Sequence, residues 1–258
     1  MTGCGLLNLL DRIGRERLVF GHRGVPREAP ENTLASFQRA LELGLDGVEL
    51  DARLCRSGDL IVFHDDTVDK LTDGRGSICD LGFEELRALD AGVRFGGKFK
   101  SEKIPTLEEV LDVLGGKMLV NIELKTDSAR DGGLAYKVVM LVEEMNLLSS
   151  VILSSFNPIS IRRAKKLNPK VVTTLLYADD QPIHLRRAWA SYILKLEGVH
   201  PRYPMVNDSL MKRARAKGWF VGTWTVDDAS IAERLFQLGV GIVISNRPRE
   251  IRKDLGLT

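Results

Sequence analysis

The stretch GVELDARLCRSGDLIVFHDD, residues 47–66, decides the fold. Over Gly47–Leu54, Glu49 and Asp51 fall on one face and Leu50 on the other, because strand side chains repeat every two residues. A strand with acids on one face and apolar residues on the other suits a barrel wall, acids inward and Leu50 against the helices. The turn Arg56-Ser57-Gly58-Asp59 suits a hairpin loop to a short extra strand over Leu60–His64.

Working outward, strands and helices alternate along almost the whole chain. Leu18–His22 reads as the first strand. Thr33–Leu43 reads as a helix, with Leu34, Phe37, Ala40 and Leu41 at helical spacing. Thr106–Leu114 is a helix opened by Thr106 and Glu109 at capping-box spacing. Met118–Leu124 is the next main strand, followed by a helix near Leu134–Met145. Strands are then expected over Val151–Phe156, Val171–Tyr177, Ile193–Val199, Trp219–Val226 and Gly241–Ser245. Helices are expected over Pro158–Leu167, His184–Tyr192, Asp208–Lys217 and Asp228–Leu238, the last two capped by Asn207 and Asp227. That makes eight main strands, each followed by a helix except the last.

Repeated βα units in 258 residues favour an α/β fold, a closed (β/α)8 TIM barrel. The competing fold is an open doubly wound sheet. No GxGxxG follows the first strand, which weighs against its dinucleotide-binding form. No linker divides the chain, so one domain is expected over residues 1–258. Residues 65–105 read as an insertion after the second strand, lying over one barrel face. Its Phe83, Phe95 and Phe99 are expected to pack a small core of their own.

Composition narrows the function. The 37 basic and 35 acidic residues nearly cancel to a net charge of +2, which argues against a nucleic-acid binder working by bulk charge. Three cysteines with no CxxC pair argue against a disulfide scaffold or a structural zinc site. No run approaches the ~20 apolar residues that span a bilayer. The run Leu6–Leu10 is short, interrupted by Asn8 and followed by Asp11 and Arg12, so it does not read as an export signal. MTGC, residues 1–4, faintly resembles a lipoprotein cleavage site, but no apolar stretch lies before Cys4. A reduced, cytoplasmic protein is expected.

Barrel chemistry sits where strands end and βα loops begin. The strand ends carry His22-Arg23, Glu49 with Asp51, His64, Glu123 with Lys125, and Trp224. Two acids on one strand and a third, Glu123, on the next would repel each other in an apolar barrel. A divalent cation resolves the conflict, and an all-oxygen donor set suits Mg²⁺ or Ca²⁺ better than Zn²⁺. An ion-pair network with Arg23 and Lys125 would do so too, and spacing alone leaves the two readings level. His22 and His64 are the acid–base candidates, since imidazole titrates near neutrality. Of the other two histidines, His184 is expected on a helix surface and His200 in a solvated loop. Arg23 and Lys125 predict an anionic substrate. Trp224 is expected to wall the pocket or to pack the core.

These residues resemble the glycerophosphodiester phosphodiesterase family, within the superfamily of phospholipase C-like phosphodiesterases. The matching stretches are HRG (22–24), PENTLASF (30–37), GVELDARL (47–54), VFHDDTVDKLTDGRG (62–76), IPTLEEVL (104–111), NIELK (121–125), SSF (154–156) and GTWTVDD (222–228). They run in the family's order over about Val19 to Pro248. The resemblance implies a (β/α)8 barrel that hydrolyses glycerophosphodiesters to glycerol 3-phosphate and an alcohol. It implies that Glu49, Asp51 and Glu123 bind one divalent cation and that His22 and His64 act as general acid and base. Arg23 and Lys125 match phosphate-contacting positions. The implied partner is a small-molecule glycerophosphodiester, with no nucleic acid and no transmembrane segment. Three positions depart from the family pattern. Lys70 stands where Arg is common, Asp227 where Asn is common, and Asn246 where Asp is common. Three other activities compete. They are a Schiff-base aldolase using Lys125, a non-catalytic binder of phosphorylated ligands, and a lysophospholipase D acting on larger lysophospholipid diesters.

Overall fold

The computed structural model describes residues 9–126 and 131–257. MTGC and the start of the Leu6–Leu10 run lie outside the described residues. The barrel is closed. Its eight parallel strands are β1 (Leu18–His22), β2 (Gly47–Leu54), β4 (Leu119–Leu124), β5 (Val151–Ser155), β6 (Val172–Tyr177), β7 (Gly198–Pro201), β8 (Phe220–Thr223) and β9 (Ile242–Ser245). Strand β1 pairs with both β2 and β9, which closes the ring. The short β3 (Leu60–Val62) pairs antiparallel to the far end of β2, with Ala52 opposite Val62. The hairpin expected from Arg56–Asp59 is therefore an arm carried above the barrel rim.

Helices α2 (Leu34–Glu42), α4 (Leu107–Leu114), α5 (Leu134–Glu144), α6 (Pro158–Leu167), α8 (Asp208–Lys217), α9 (Ala229–Leu238) and α10 (Pro248–Asp254) follow the strands. Thr106 and Glu109 form the expected capping box on α4, so two otherwise unpaired backbone donors are satisfied there. Asn207 caps α8 as expected. The cap of α9 is Asp228, not Asp227. Asp227 is engaged elsewhere, accepting from Asn246 and Ser245, and so leaves the cap to its neighbour.

Two expectations between β6 and β7 fail. His184–Tyr192 is not one helix. It splits into α7 (Ile183–Arg186) and a 3-10 turn (Trp189–Tyr192), joined at Ala188 with φ of 49°. The strand expected over Ile193–Val199 lies later, at Gly198–Pro201. Gly198 opens this strand beneath the Phe220 ring, which fills the space a Cβ there would need. A helix also follows the last strand, which the short tail did not suggest.

Helix α1 (Leu9–Arg15) was not anticipated. Its Leu9 and Ile13 cluster with Leu18, Leu119, Ile152, Val172 and Ile242, all at strand beginnings. It therefore plugs the end of the barrel opposite the strand termini. Gly241 allows the approach, because a Cβ there would meet Ile13 at 2.7 Å. Leu9 is fully buried. Leu9→Ala is expected to cost about 2–5 kcal/mol in a urea melt, with kcat unchanged.

Between this plug and the C-terminal ends of the strands lies a band of buried polar side chains. Asn121, Ser154, Thr174 and His200 have no hydrogen-bond partner for their side chains among the described residues. His200 was expected in a solvated loop, but it is fully buried in β7. Gly222 makes the room, since a Cβ there would collide with the imidazole. Burial drives the His200 pKa down to about 3. In the unfolded chain a histidine binds its proton near pH 6.5, so lowering the pH below that favours unfolding. Stability is then full above about pH 6.5 and falls toward about pH 3, with a loss of roughly 2 kcal/mol by about pH 5. The variant His200→Gln should show a smaller drop in urea midpoint between about pH 7.5 and about pH 5. Equal drops in both proteins would refute this.

Residues 65–105 carry a 3-10 turn, the helix α3 (Phe83–Ala88) and a second 3-10 turn. Val68, Ile78, Leu86 and Ile104 cluster there with Ile61 and Phe63, and Phe83 packs against them. Phe95 and Phe99 do not join this cluster. They meet edge to face at 5.2 Å on the outside, with Phe95 exposed.

Candidate active site

The strand termini converge on a small cavity of about 70 Å³. It is lined by His22, Arg23, Glu49, His64, Glu123, Lys125 and Trp224, and Asp51 lies buried behind Arg23 and Lys125. All eight residues singled out in the sequence thus meet at one end of the barrel. The strand register explains it. Asp51 lies opposite Glu123 on β4, and His22 on β1 lies opposite Glu49.

Glu49, Asp51 and Glu123 are all buried, and one oxygen from each lies within 4.8 Å of the others. Burial and repulsion from Asp51 and Glu123 push the Glu49 pKa well up. Burial also raises that of Glu123, against the pull of Lys125. At Asp51 burial opposes ionisation, but Lys125 and Arg23 outweigh it and hold the carboxyl below its usual range. Lys125 Nζ lies 3.0 Å from Glu123 and 3.4 Å from Asp51, and Arg23 Nε lies 3.4 Å from Asp51. Three carboxylates thus face two cations, and Arg23 is also shared with Glu31 at 2.7 Å. The cluster lacks positive charge, and Asp51 Oδ1 is buried without a hydrogen bond. This oxygen-rich, under-compensated set fits a hard divalent cation.

Arg23 is held in an uncommon backbone conformation, with φ of 55°. Its amide donates to Glu49 at 3.1 Å, so the strained turn ties β1 to the carboxylate cluster. Asn32, also at positive φ, donates from Nδ2 to Asp51 at 2.9 Å. Asn32 lies within PENTLASF, residues 30–37, and its role depends on a partner 19 residues away that spacing does not reveal.

The two imidazoles have different supports. His22 Nδ1 lies 2.8 Å from Asn246 Oδ1. Asn246 in turn donates from Nδ2 to Asp227 at 2.9 Å, which fixes which end of its amide faces His22. The His22 proton therefore sits on Nδ1, and Nε2 keeps its lone pair, 3.9 Å from Glu49. Burial, with help from Arg23, lowers the His22 pKa to about 4. His64 Nδ1 instead lies 2.7 Å from the carboxylate of Asp65. Asn246 and Asp227 were noted only as departures from the family pattern, and the structure makes them hydrogen-bond partners. Asp65 was legible as the acid next to His64.

Trp224 walls the cavity. Its ring meets Phe156 edge to face at 5.5 Å, and its Nε1 donates to the His200 carbonyl at 3.0 Å. Lys125 does not suit a Schiff base. Burial pulls its pKa down, but Glu123 and Asp51 outweigh that and keep the amine protonated.

Two imidazoles, an acidic cluster and two cations share one cavity at the strand ends of a closed (β/α)8 barrel, a set that suits a phosphodiesterase. Known proteins narrow the class. The profile of the Glycerophosphoryl diester phosphodiesterase family matches residues 22–250. The chain belongs to this family. A glycerophosphodiester phosphodiesterase of Caldanaerobacter subterraneus subsp. tengcongensis is 40% identical over 237 residues, covering 91% of this chain and 96% of the relative. Human glycerophosphodiester phosphodiesterase 1 is 36% identical, over 88% of this chain and 76% of its own. Among solved structures, an Oleispira antarctica phosphodiesterase in complex with the product sn-glycerol-3-phosphate superposes with a TM-score of 0.84 at 30% identity. That match covers 93% of this chain and 96% of the other.

Proposed function

We propose that this barrel cavity hydrolyses glycerophosphodiesters to glycerol 3-phosphate and an alcohol, with His22 as general base and His64 as general acid. The observation that carries the assignment is the contrast between their Nδ1 partners, a neutral amide for His22 and a carboxylate for His64. An amide partner leaves the ring neutral with Nε2 ready to accept a proton. A carboxylate partner at Nδ1 orients the His64 ring for the opposite role, delivery of a proton to the leaving oxygen.

Glu49, Asp51 and Glu123 would hold one divalent cation, Mg²⁺ or Ca²⁺. When bound it would supply Lewis-acid charge against a phosphoryl oxygen. Arg23 and Lys125 face the same cavity and counter the charge that builds on the phosphoryl group. His22 takes the proton of the attacking oxygen, which is water or the substrate's own neighbouring hydroxyl. His64 protonates the departing alkoxide. Trp224, with Phe156, Leu176 and Ile244, forms an apolar wall that limits water around the reacting group. Residues 65–105 act as an insertion within a single barrel domain. A reduced, cytoplasmic setting is part of the same proposal, on the sequence ground that the three cysteines include no CxxC pair. Among the described residues no helix is long and apolar enough to cross a membrane.

The test is a substrate panel of glycerophosphocholine, glycerophosphoethanolamine, glycerophosphoinositol and a lysophospholipid, each with Mg²⁺, Ca²⁺ or chelator. Metal-dependent release of glycerol 3-phosphate is expected. Turnover of the lysophospholipid alone would move the assignment to a lysophospholipase D. No turnover of any diester with either metal would sink the proposal. Phosphorus NMR during turnover separates the two nucleophiles, since only attack by the neighbouring hydroxyl passes through a cyclic phosphate.

A further inference from the structure

The connection between β6 and β7 departs from the helical pattern of the other barrel connections. In place of a long amphipathic helix it has α7, of four residues, and a 3-10 turn. Of the eleven exposed large apolar side chains among the described residues, four fall within residues 183–193. They are Ile183, Trp189, Tyr192 and Ile193, the last 84% exposed. Scattered single residues of this kind are ordinary, but a cluster is not.

The charge around this cluster has one sign. Residues 181–196 contain Arg186, Arg187 and Lys195 and no acid. Helix α8 adds Arg213, which donates to the Tyr192 hydroxyl at 3.4 Å, and Lys217, 6.0 Å from the Tyr192 ring centre. Helix α6 adds Arg162 and Lys166, which line a hollow with Ile193 and Lys195. The neighbouring acids are mostly engaged. Glu197 pairs with Lys165 at 2.6 Å, and Asp179 and Asp180 pair with Arg202. Asp208 stands at the start of α8.

A second, larger hollow of about 440 Å³ opens on the same flank. Tyr177, Arg186, Arg187, Trp189, Tyr192 and Arg213 line it, and it shares no lining residue with the catalytic cavity. The Tyr177 side chain is buried along the wall of this hollow, beside Arg213. Three guanidinium groups, Arg186, Arg187 and Arg213, make a cradle for an anionic phosphate group. The aromatic rings beside it have the amphipathic form that settles at headgroup depth.

We propose that this flank, from Tyr177 to Lys195 with the adjoining faces of α6 and α8, docks the protein on anionic lipid bilayers. Trp189, Tyr192 and Ile193 enter the interface while the arginines and lysines meet lipid phosphates. Tyr177 ends β6 and Asn207 caps α8, so the docking flank reaches the catalytic end of the barrel. The proposal stands on residues outside the catalytic cavity and does not depend on the reading of that cavity.

The experiment is co-sedimentation of the full chain with phosphatidylcholine vesicles, with and without phosphatidylglycerol, read beside tryptophan fluorescence. Binding to the phosphatidylglycerol vesicles is expected, weakening with salt. A blue shift in tryptophan emission should accompany it and be lost in Trp189→Phe. Arg186→Gln with Arg187→Gln should lower partitioning by about 30-fold, each cation contributing about fivefold. Hydrolysis of a soluble glycerophosphodiester should be unchanged in these variants, which also shows that they fold. Three results would each overturn the proposal. One is equal partitioning to both vesicle types. Another is binding fully competed by inorganic phosphate, which would make the hollow a soluble-phosphate site. The last is vesicle-independent dimerisation abolished by the same substitutions, which would assign the face to a second copy of the chain.

Discussion

His64→Ala is expected to lower kcat for glycerophosphocholine by about 10²–10⁴-fold, the usual contribution of a general acid or base. The same loss is expected for His22→Ala. The two variants should part when the leaving alcohol is made acidic, as in a nitrophenyl diester. A good leaving group needs no proton, so His64→Ala should recover most of its rate. His22→Ala should not, because the attacking oxygen still needs its proton removed. The support for this split is structural. His22 leans on Asn246 at 2.8 Å, whereas His64 leans on the Asp65 carboxylate at 2.7 Å. Equal recovery in both variants would remove the assignment of acid and base. Near-wild-type rates in both would remove the histidines from the mechanism.

The second large effect concerns the carboxylate cluster. Chelation is expected to abolish turnover, and Mg²⁺ or Ca²⁺ to restore it. Asp51→Asn should lower kcat by about 10²–10³-fold, since metal-derived charge stabilisation amounts to several kcal/mol. Asp51 sits centrally, touching Arg23, Lys125 and Asn32 while leaving Oδ1 without a hydrogen bond. The measurement is a metal titration of activity in wild type, Asp51→Asn and Glu49→Gln. If the cluster were only an ion-pair network, chelation would leave activity intact and Asp51→Asn would show mainly as a lower melting temperature.

The barrel was legible because its strands carry their pattern locally. Gly47–Leu54 shows both its buried faces and its acids without reference to anything distant, and it forms the strand expected. Pro158–Leu167 and Asp208–Lys217 were equally clear, having caps and apolar spacing within the segment. What failed was decided by remote partners. The buried state of His200 depends on Gly222, on the neighbouring strand. The cap of α9 passes to Asp228 because Asp227 is held by Asn246, nineteen residues away. Helix α1 is short and gains its place from the barrel base it covers.

The site divided the same way. Side chains at strand ends could be grouped from period-two spacing alone. Their supports could not, since Asn32 reaches Asp51 and Asn246 reaches His22 across the fold. The two unusual residues, Asp227 and Asn246, explain each other. An amide at 246 needs a partner for its Nδ2, and the carboxylate at 227 provides it.

The antiparallel arm of β2 and β3 divides the residues of the proposed site between two parts of the gene. His64 follows β3 and its backbone neighbour Asp65 is gripped by Arg53, whereas His22 and the three carboxylates belong to barrel strands. A graft that replaced residues 60–105 with the matching segment of a relative would exchange the proposed proton donor His64 and the cover above it in one piece. The cation cluster and His22 would stay behind. Chimeras cut at these points would therefore separate what the arm contributes to choice of alcohol from what the barrel contributes to cleavage.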